Sequence, residues 1–343
     1  MAGDARRSRP EDRPPAAGLH RPGAARLRAA GEEEIAPFLV RLAIVLFIGG
    51  VLHAAPQRRV AFTFDDLPGR IADSCNVAEL ERLNRTLVGA IVRNEMPATG
   101  LVVESAVCAR QRHRIGRLYE IWLAAGLELG NHTHSHRDFN RVPLEEYQED
   151  VIAGERTLAP LLARRGERLR YFRYPFLRSG TELRKKRAFE DFLRRRGYVN
   201  APVTIDNDEY IYAAAYAGAL RRRDAGLAKH IAGDYIRYMD SIFAFYEKLS
   251  RDTLGYELPQ ILLLHVNQLN ADHLDRLTEM TRRRGYELIS MERALRDKAY
   301  GRVDSYIGSR GLSWLQRWAL DDGKKPPVHP EVPEWVMELY RTR

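Results

Sequence analysis

The sequence predicts an α/β barrel of parallel strands, on three observations. Seven short apolar runs alternate with longer amphipathic stretches, the pattern of βαβ crossovers. The span that carries them, residues 58–300, is 243 residues long, close to the ~250 of a single barrel. Five of the runs end in ionisable groups, and the carboxyl ends of parallel strands meet on one face.

In chain order the expected strands are Val60–Phe64, Gly100–Val103, Leu127–Leu129, Arg170–Tyr174, Val199–Ile205, Ile261–His265 and Glu287–Ser290. Helix-like segments lie between them at Val77–Asn94, Arg112–Ala125, Leu144–Arg164, Glu182–Arg196 and Asp272–Arg284. The insertion from Tyr210 to Leu254 reads as two helices, the second with the aromatic-rich stripe YIRYMDSIFAFYEKL. A stripe of that kind packs a core and is not a cofactor box. Residues 301–343 form a C-terminal helix and tail, in which the apolar stretch 311–320 packs on the barrel and a Pro-rich end follows. No internal repeat or interdomain linker interrupts 58–300.

Residues 1–34 are rich in Ala, Arg, Pro, Glu and Gly without apolar periodicity, the composition of a disordered segment. In residues 35–55, Arg41 is followed by an apolar run from Leu42 to Leu52 and then Ala54-Ala55, the shape of a secretory signal or an N-terminal anchor. Its distance from Met1 raises a second expectation, that translation starts at Val40 and residues 1–39 are not part of the translated protein. Export to a periplasmic or extracellular location follows in either case. No uninterrupted apolar run reaches the ~18 residues of a spanning helix, which excludes a polytopic membrane protein. Cys75 and Cys108 are the two cysteines, too few for a thiolate zinc finger. They form one disulfide or remain two buried thiols.

With 55 Lys+Arg against 46 Asp+Glu the net charge is +9, which permits nucleic acid or an anionic envelope polymer as a partner. The clearest basic clusters, Arg194–Arg196 and Arg282–Arg284, each precede Gly-Tyr and the next strand. They are expected as solvated caps at helix C-termini, where cations complement the dipole. No phosphate-cradling Gly loop, nucleophile elbow or H-E-x-x-H motif is present, and no nucleic-acid partner is expected.

The strand ends carry the chemistry. The first ends in Thr63-Phe64-Asp65-Asp66, and the third is followed by Gly130-Asn131-His132-Thr133-His134-Ser135-His136. The fourth ends in Phe172-Arg173-Tyr174-Pro175-Phe176, the fifth in Ile205-Asp206-Asn207-Asp208-Glu209-Tyr210, and the sixth in Leu262-Leu263-Leu264-His265. His132 and His136 are four apart, so one helical turn puts both imidazoles on one face. Asp66 adds a third, harder ligand and leaves a position open for water, a set that suits zinc and also other divalent metals. His134 is a rival ligand at poorer spacing. Adjacent carboxylates at a strand end point apart, so Asp65 is free to face water while Asp66 faces the metal. Arg173 pairs with a buried carboxylate, and Asp65 is the natural partner. His265 emerges from the core at the rim as a general acid, with Asp206 available to orient or protonate it.

These five segments, in this order, resemble the polysaccharide deacetylase (NodB-homology) family, carbohydrate esterase family four, over about Val60 to Leu295. The combination of T-F-D-D with H-T-x-S-H carries most of that likeness. The resemblance implies a distorted (β/α) barrel of seven strands that removes N-acetyl groups from a chitin-oligomer or peptidoglycan-type glycan, with zinc as the expected metal. It implies Asp65 as general base, Asp66, His132 and His136 as metal ligands, Arg173 as the tether of the base, and His265 as general acid. By the same resemblance the N–H of Phe176 is the oxyanion donor. Leu264 then contacts the acetyl methyl, and Asp206, Glu209 and Tyr210 support the acid. Tyr210 stands where the family has Trp, Phe176 where it has Tyr, and Leu177 where the oxyanion loop has Gly. Two other readings of the same residues are an O-acetyl xylan esterase or small-amide hydrolase, and a non-catalytic glycan-binding barrel. No obligate protein partner is expected.

Overall fold

The computed structural model describes residues 58–342, so the expected N-terminal extension and apolar run lie outside the described residues. Strand β1 (Arg58–Leu67) is buried along its length after the first two residues. That burial on both faces is the mark of a parallel strand covered by helices. On one edge β1 pairs with β2 (Thr99–Val102), and it also pairs with β6 (Gln260–His265) and β7 (Tyr286–Leu288), all in parallel. Beyond β2 follow β3 (Glu128–Asn131), β4 (Tyr171–Phe172) and β5 (Val199–Asn200), giving seven strands in the order β5-β4-β3-β2-β1-β6 with β7 beside β1. A parallel bridge from Ile205 to Leu262 links the β5 side to β6. Thr204 and Ile205 both donate to the Ile261 carbonyl at 3.0 Å. The sheet therefore curls into the distorted α/β barrel that the alternation predicts.

Strands β4 and β5 are shorter than their apolar runs. Pro202 has no N–H to continue a ladder, and past Phe172 the chain leaves the sheet to build the rim.

The helices are α1 (Val77–Arg93), α2 (Ile115–Ala124), α3 (Leu144–Ala153), α4 (Leu158–Arg164) and α5 (Leu183–Arg195). They continue with α6 (Glu209–Arg221), α7 (Ala225–Leu254), α8 (Gln268–Arg283), α9 (Met291–Ala294), α10 (Trp314–Asp321) and α11 (Glu334–Arg341). Helix α1 shows why: Leu80, Leu83, Leu87 and Ile91 recur on one buried face, and the Asn76 side chain caps its start. The stripe on α7 is core, with Tyr235, Met239, Ile242, Phe243 and Tyr246 all buried.

The single helix expected over 144–164 is two helices, broken after Gly154. A Cβ at Gly154 would lie 2.7 Å from Asn131 Oδ1 and 3.0 Å from the Thr133 carbonyl carbon. The loop after β3 presses against the chain here, and continuous helix gives way to turns.

Ser313 and Gln316 form a capping box at the start of α10. Trp314, Leu315 and Trp318 from α10 and Val336 from α11 join the same hydrophobic cluster as Phe62, Phe64 and Trp122. Cys75 and Cys108 form a disulfide, Cα to Cα 5.1 Å, joining the loop after β1 to the turn before α2. The cluster 282–284 is not simply solvated: Arg284 pairs with Glu247 and Asp240, both at 2.8 Å, and Arg282 donates to the Asn94 carbonyl at 2.7 Å. No described helix is long and apolar enough to cross a membrane.

Candidate active site

The carboxyl rim is where backbone strain concentrates. Among the described residues seven non-glycine residues take positive φ, and five of them stand here: Asp66, Thr133, His136, Phe176 and Leu177. Left-handed backbone is disfavoured for residues with a Cβ, and it persists where surroundings enforce it.

Asp66, His132 and His136 bring one ligand atom each within 4.8 Å of one another. The spacing of the two histidines works, but not through a helical turn. The segment after β3 is a loop, with Thr133 at φ 69° and His136 at φ 56°. Asn131 Oδ1 accepts from Thr133 N at 2.7 Å, and Thr133 Oγ1 accepts from His136 N at 2.9 Å. These two side-chain bonds fold the loop so that the rings meet at 5.0 Å between centroids. His134 is not among these three donors; its backbone N–H bonds the Asp150 carbonyl at 3.0 Å.

The donors fit a divalent cation. His132 Nδ1 lies 2.9 Å from the Arg173 carbonyl. A carbonyl only accepts, so the proton sits on Nδ1 and the Nε2 lone pair faces outward. That lone pair is 3.5 Å from Asp65 Oδ2. Asp66 Oδ1 is buried without a hydrogen bond and lies 3.2 Å from His136 Nε2. Electron-rich atoms gathered this closely are the environment a cation satisfies. Burial works to raise the Asp66 carboxyl, yet His136, His265, His132 and Arg70 hold it down at about 2. Burial and the neighbouring His132 push His136 down to about 3, so both ligands are in their donor forms at neutral pH.

Asp65 adjoins this group on the inner face of β1. Arg173, fully buried, donates from Nη1 to Asp65 Oδ1 at 2.6 Å and to Thr63 Oγ1 at 2.7 Å. Its Nε is held by the Ala201 carbonyl at 3.0 Å. The strand register sets Asp65 opposite His265.

His265 takes its partner from Glu209, not Asp206. Glu209 Oε2 lies 2.8 Å from His265 Nδ1. The other oxygen of Glu209 accepts from Asn267 and Asn270, and Asn270 also bonds the His265 carbonyl at 2.8 Å. Glu209 opens α6, and its N–H bond to Asn207 Oδ1 at 3.0 Å turns the side chain inward. Asp206 instead bonds the next residue's N–H at 2.9 Å, and burial pushes its carboxyl up to about 6 against the pull of His329. Burial works to lower His265, but the Glu209 contact and the Asp66 and Asp65 charges raise it to about 9.

Leu264 is the other correction. Side chains alternate along a strand, so Leu264 faces away from His265 and is fully buried in the core cluster with Phe64. Leu263, two residues before His265, shares its face. Phe176 and Tyr210 are the exposed aromatics of the rim, 51% and 45% accessible. The Phe176 ring sits edge-on to His136 at 4.6 Å and the Tyr210 ring edge-on to His265 at 6.4 Å. Sequence reasoning missed Arg70, whose Nε is 2.7 Å from Asp66 Oδ2, and the two asparagines on Glu209. The H-V-N-x-x-N spacing after β6 was the available signal for the latter.

Fold and rim together define a parallel α/β barrel with a three-donor centre beside an arginine-held aspartate. The family model described as polysaccharide deacetylase matches residues 53–190, the segment that holds Asp65, Asp66, His132, His136 and Arg173. Among solved structures, a family 4 carbohydrate esterase from Streptomyces lividans in complex with acetate is 17% identical, with 70% of this chain and 97% of that one covered and a TM-score of 0.42. The peptidoglycan deacetylase PdaC from Bacillus subtilis is 18% identical, with 70% and 90% covered at a TM-score of 0.42. A CE4 family pseudoenzyme from Bacillus anthracis is 14% identical, with 70% and 66% covered, also at 0.42.

Proposed function

We propose that this protein is a metal-dependent hydrolase that removes N-acetyl groups from a glycan of the chitin-oligomer or peptidoglycan type. The observation that carries the reading is the arrangement around Asp65. One oxygen is fixed by Arg173 and the other faces the Asp66–His132–His136 donors, with a Glu209-paired His265 opposite.

Those three donors would hold the cation, with zinc the best match to two imidazoles and a carboxylate. When bound, such an ion makes water more acidic and polarises the acetyl carbonyl. Asp65 accepts the proton of the attacking water through Oδ2, since Oδ1 is already occupied by Arg173. The Phe176 N–H donates to the developing oxyanion. His265, protonated at neutral pH, gives its Nε2 proton to the departing amine, and Glu209 stabilises the imidazolium through Nδ1. Tyr210 and Phe176 offer ring faces to a sugar on either side. The disulfide and the apolar stretch 42–52 support export, since such bonds persist in oxidising compartments.

The test is acetate release by the purified protein after chelation, with and without added zinc, from N-acetylglucosamine oligomers, peptidoglycan and acetylxylan. Zinc-restored release from an N-acetylated glycan is expected. Release from acetylxylan alone would move the activity to an O-acetyl esterase. Asp65→Asn should lower turnover by roughly three orders of magnitude or more while zinc stays bound; turnover near wild type would remove Asp65 from its role.

A further inference from the structure

The loop carrying Phe176 is gripped by a part of the chain far beyond the family match, which ends at residue 190. Phe176 and Leu177 take φ of 59° and 53° in succession. Two adjacent residues with side chains do not rest there unaided, so their neighbours decide whether the loop keeps its shape.

Arg317, on α10, is fully buried. Its Nη2 donates to the Leu177 carbonyl, its Nη1 to Ser179 Oγ at 2.8 Å, and its Nε to the Leu312 carbonyl at 3.0 Å. The guanidinium lies over the Trp314 ring at 3.9 Å, and Asp304 Oδ2 accepts from it at 2.6 Å. Asp304 in turn pairs with buried Lys186 at 2.8 Å, on the helix that follows the loop. Gly311 packs against the Phe176 carbonyl so closely that a Cβ there would come within 1.8 Å of the oxygen. The Phe176 ring then abuts the metal donor His136 at 4.6 Å.

We propose that residues 304–317 form a positioning clamp. Arg317 and Gly311 hold the Phe176–Leu177 loop in its left-handed form, and this fixes the wall beside His136 and aims the Phe176 N–H. Arg317 touches no reacting atom; it acts through the Leu177 carbonyl. The clamp supplies what a glycine at position 177 would otherwise give the loop for free. The catalytic half of this inference rests on the deacetylase reading.

The test compares Arg317→Met and Gly311→Ala, each alone and combined with Leu177→Gly. It reads amide exchange over 175–179, zinc content, kcat and KM, and a thermal melt to confirm folding. Arg317→Met is expected to lower kcat by roughly tenfold to a hundredfold, the effect of a misplaced site, with zinc content and KM nearly unchanged. Exchange over 175–179 should quicken by about tenfold or more. Leu177→Gly should restore most of the lost kcat, because glycine adopts positive φ without support.

Equal losses with Leu or Gly at 177 would overturn the clamp and leave Arg317 a general structural residue, as would unchanged exchange. Should Arg317→Met fail to fold, amide exchange in Gly311→Ala decides, since that change displaces the same loop at the Phe176 carbonyl without stranding Asp304 and Lys186. If the wild-type protein releases no acetate from any substrate, the deacetylase reading fails and the exchange comparison still judges the clamp.

Discussion

His265 is a cation held between two groups of carboxylates, with Glu209 at 2.8 Å on one side and Asp65 and Asp66 on the other. Because its pKa is raised to about 9, the protonated form is favoured in the folded protein. The stabilisation is fully present below the ordinary value near 6.5 and is lost as pH rises through about 9. Glu209→Gln removes the largest favourable charge. The alkaline limb of kcat/KM should therefore shift to lower pH while zinc content holds; an unmoved limb would assign it to another group. His132→Ala, by contrast, should lose both zinc and turnover, measured by metal analysis beside acetate release. The residue types at the rim were legible because Asp65, Asp66, His132, His136, Arg173 and His265 fall at strand ends. Their partners were less so. Choosing Glu209 over Asp206 depends on how the turn before α6 aims each carboxylate, and neighbouring acids in a sequence do not reveal that.

Strand β6 separates two jobs by parity. Both Leu263 and Leu264 are buried in the cluster that holds Phe64, but alternation puts Leu263 on the face of His265 and Leu264 on the opposite one. Leu264→Ala should cost about 2–5 kcal/mol of stability, seen as a lower thermal midpoint with the surviving folded protein still active. Leu263→Ala should lower turnover more than its effect on the melt explains. The reverse pattern would mean that the strand faces are assigned the wrong way round. Seven strands and most helices could be read from alternation, since a buried parallel strand and an amphipathic helix each leave a periodic trace. The break at Gly154 leaves none, because its cause is the approach of Asn131 and Thr133 from another element.

At the scale of the whole molecule, the disulfide ties the loop that follows β1, and with it Arg70, to the turn ahead of α2. Replacing Cys75 and Cys108 by serine should destabilise the protein by about 2–4 kcal/mol. The comparison of melts with and without reductant checks it, since the serine variant should no longer respond to reductant. Several arginines of the basic clusters sit in local pairs, such as Arg194 with Asp191 and Arg283 with Glu279.

Strand β1 is paired with β2 from the same end of the chain, but its remaining partners arrive about two hundred residues later, with Val60 opposite Gln260 and Arg58 opposite Tyr286. Contacts of such long sequence separation slow folding, and until β6 emerges one edge of the central strand stands open to any other chain. A growing polypeptide therefore cannot finish its barrel until almost all of it has been synthesised. Premature termination anywhere before residue 260 would yield an aggregation-prone fragment in place of a less stable barrel.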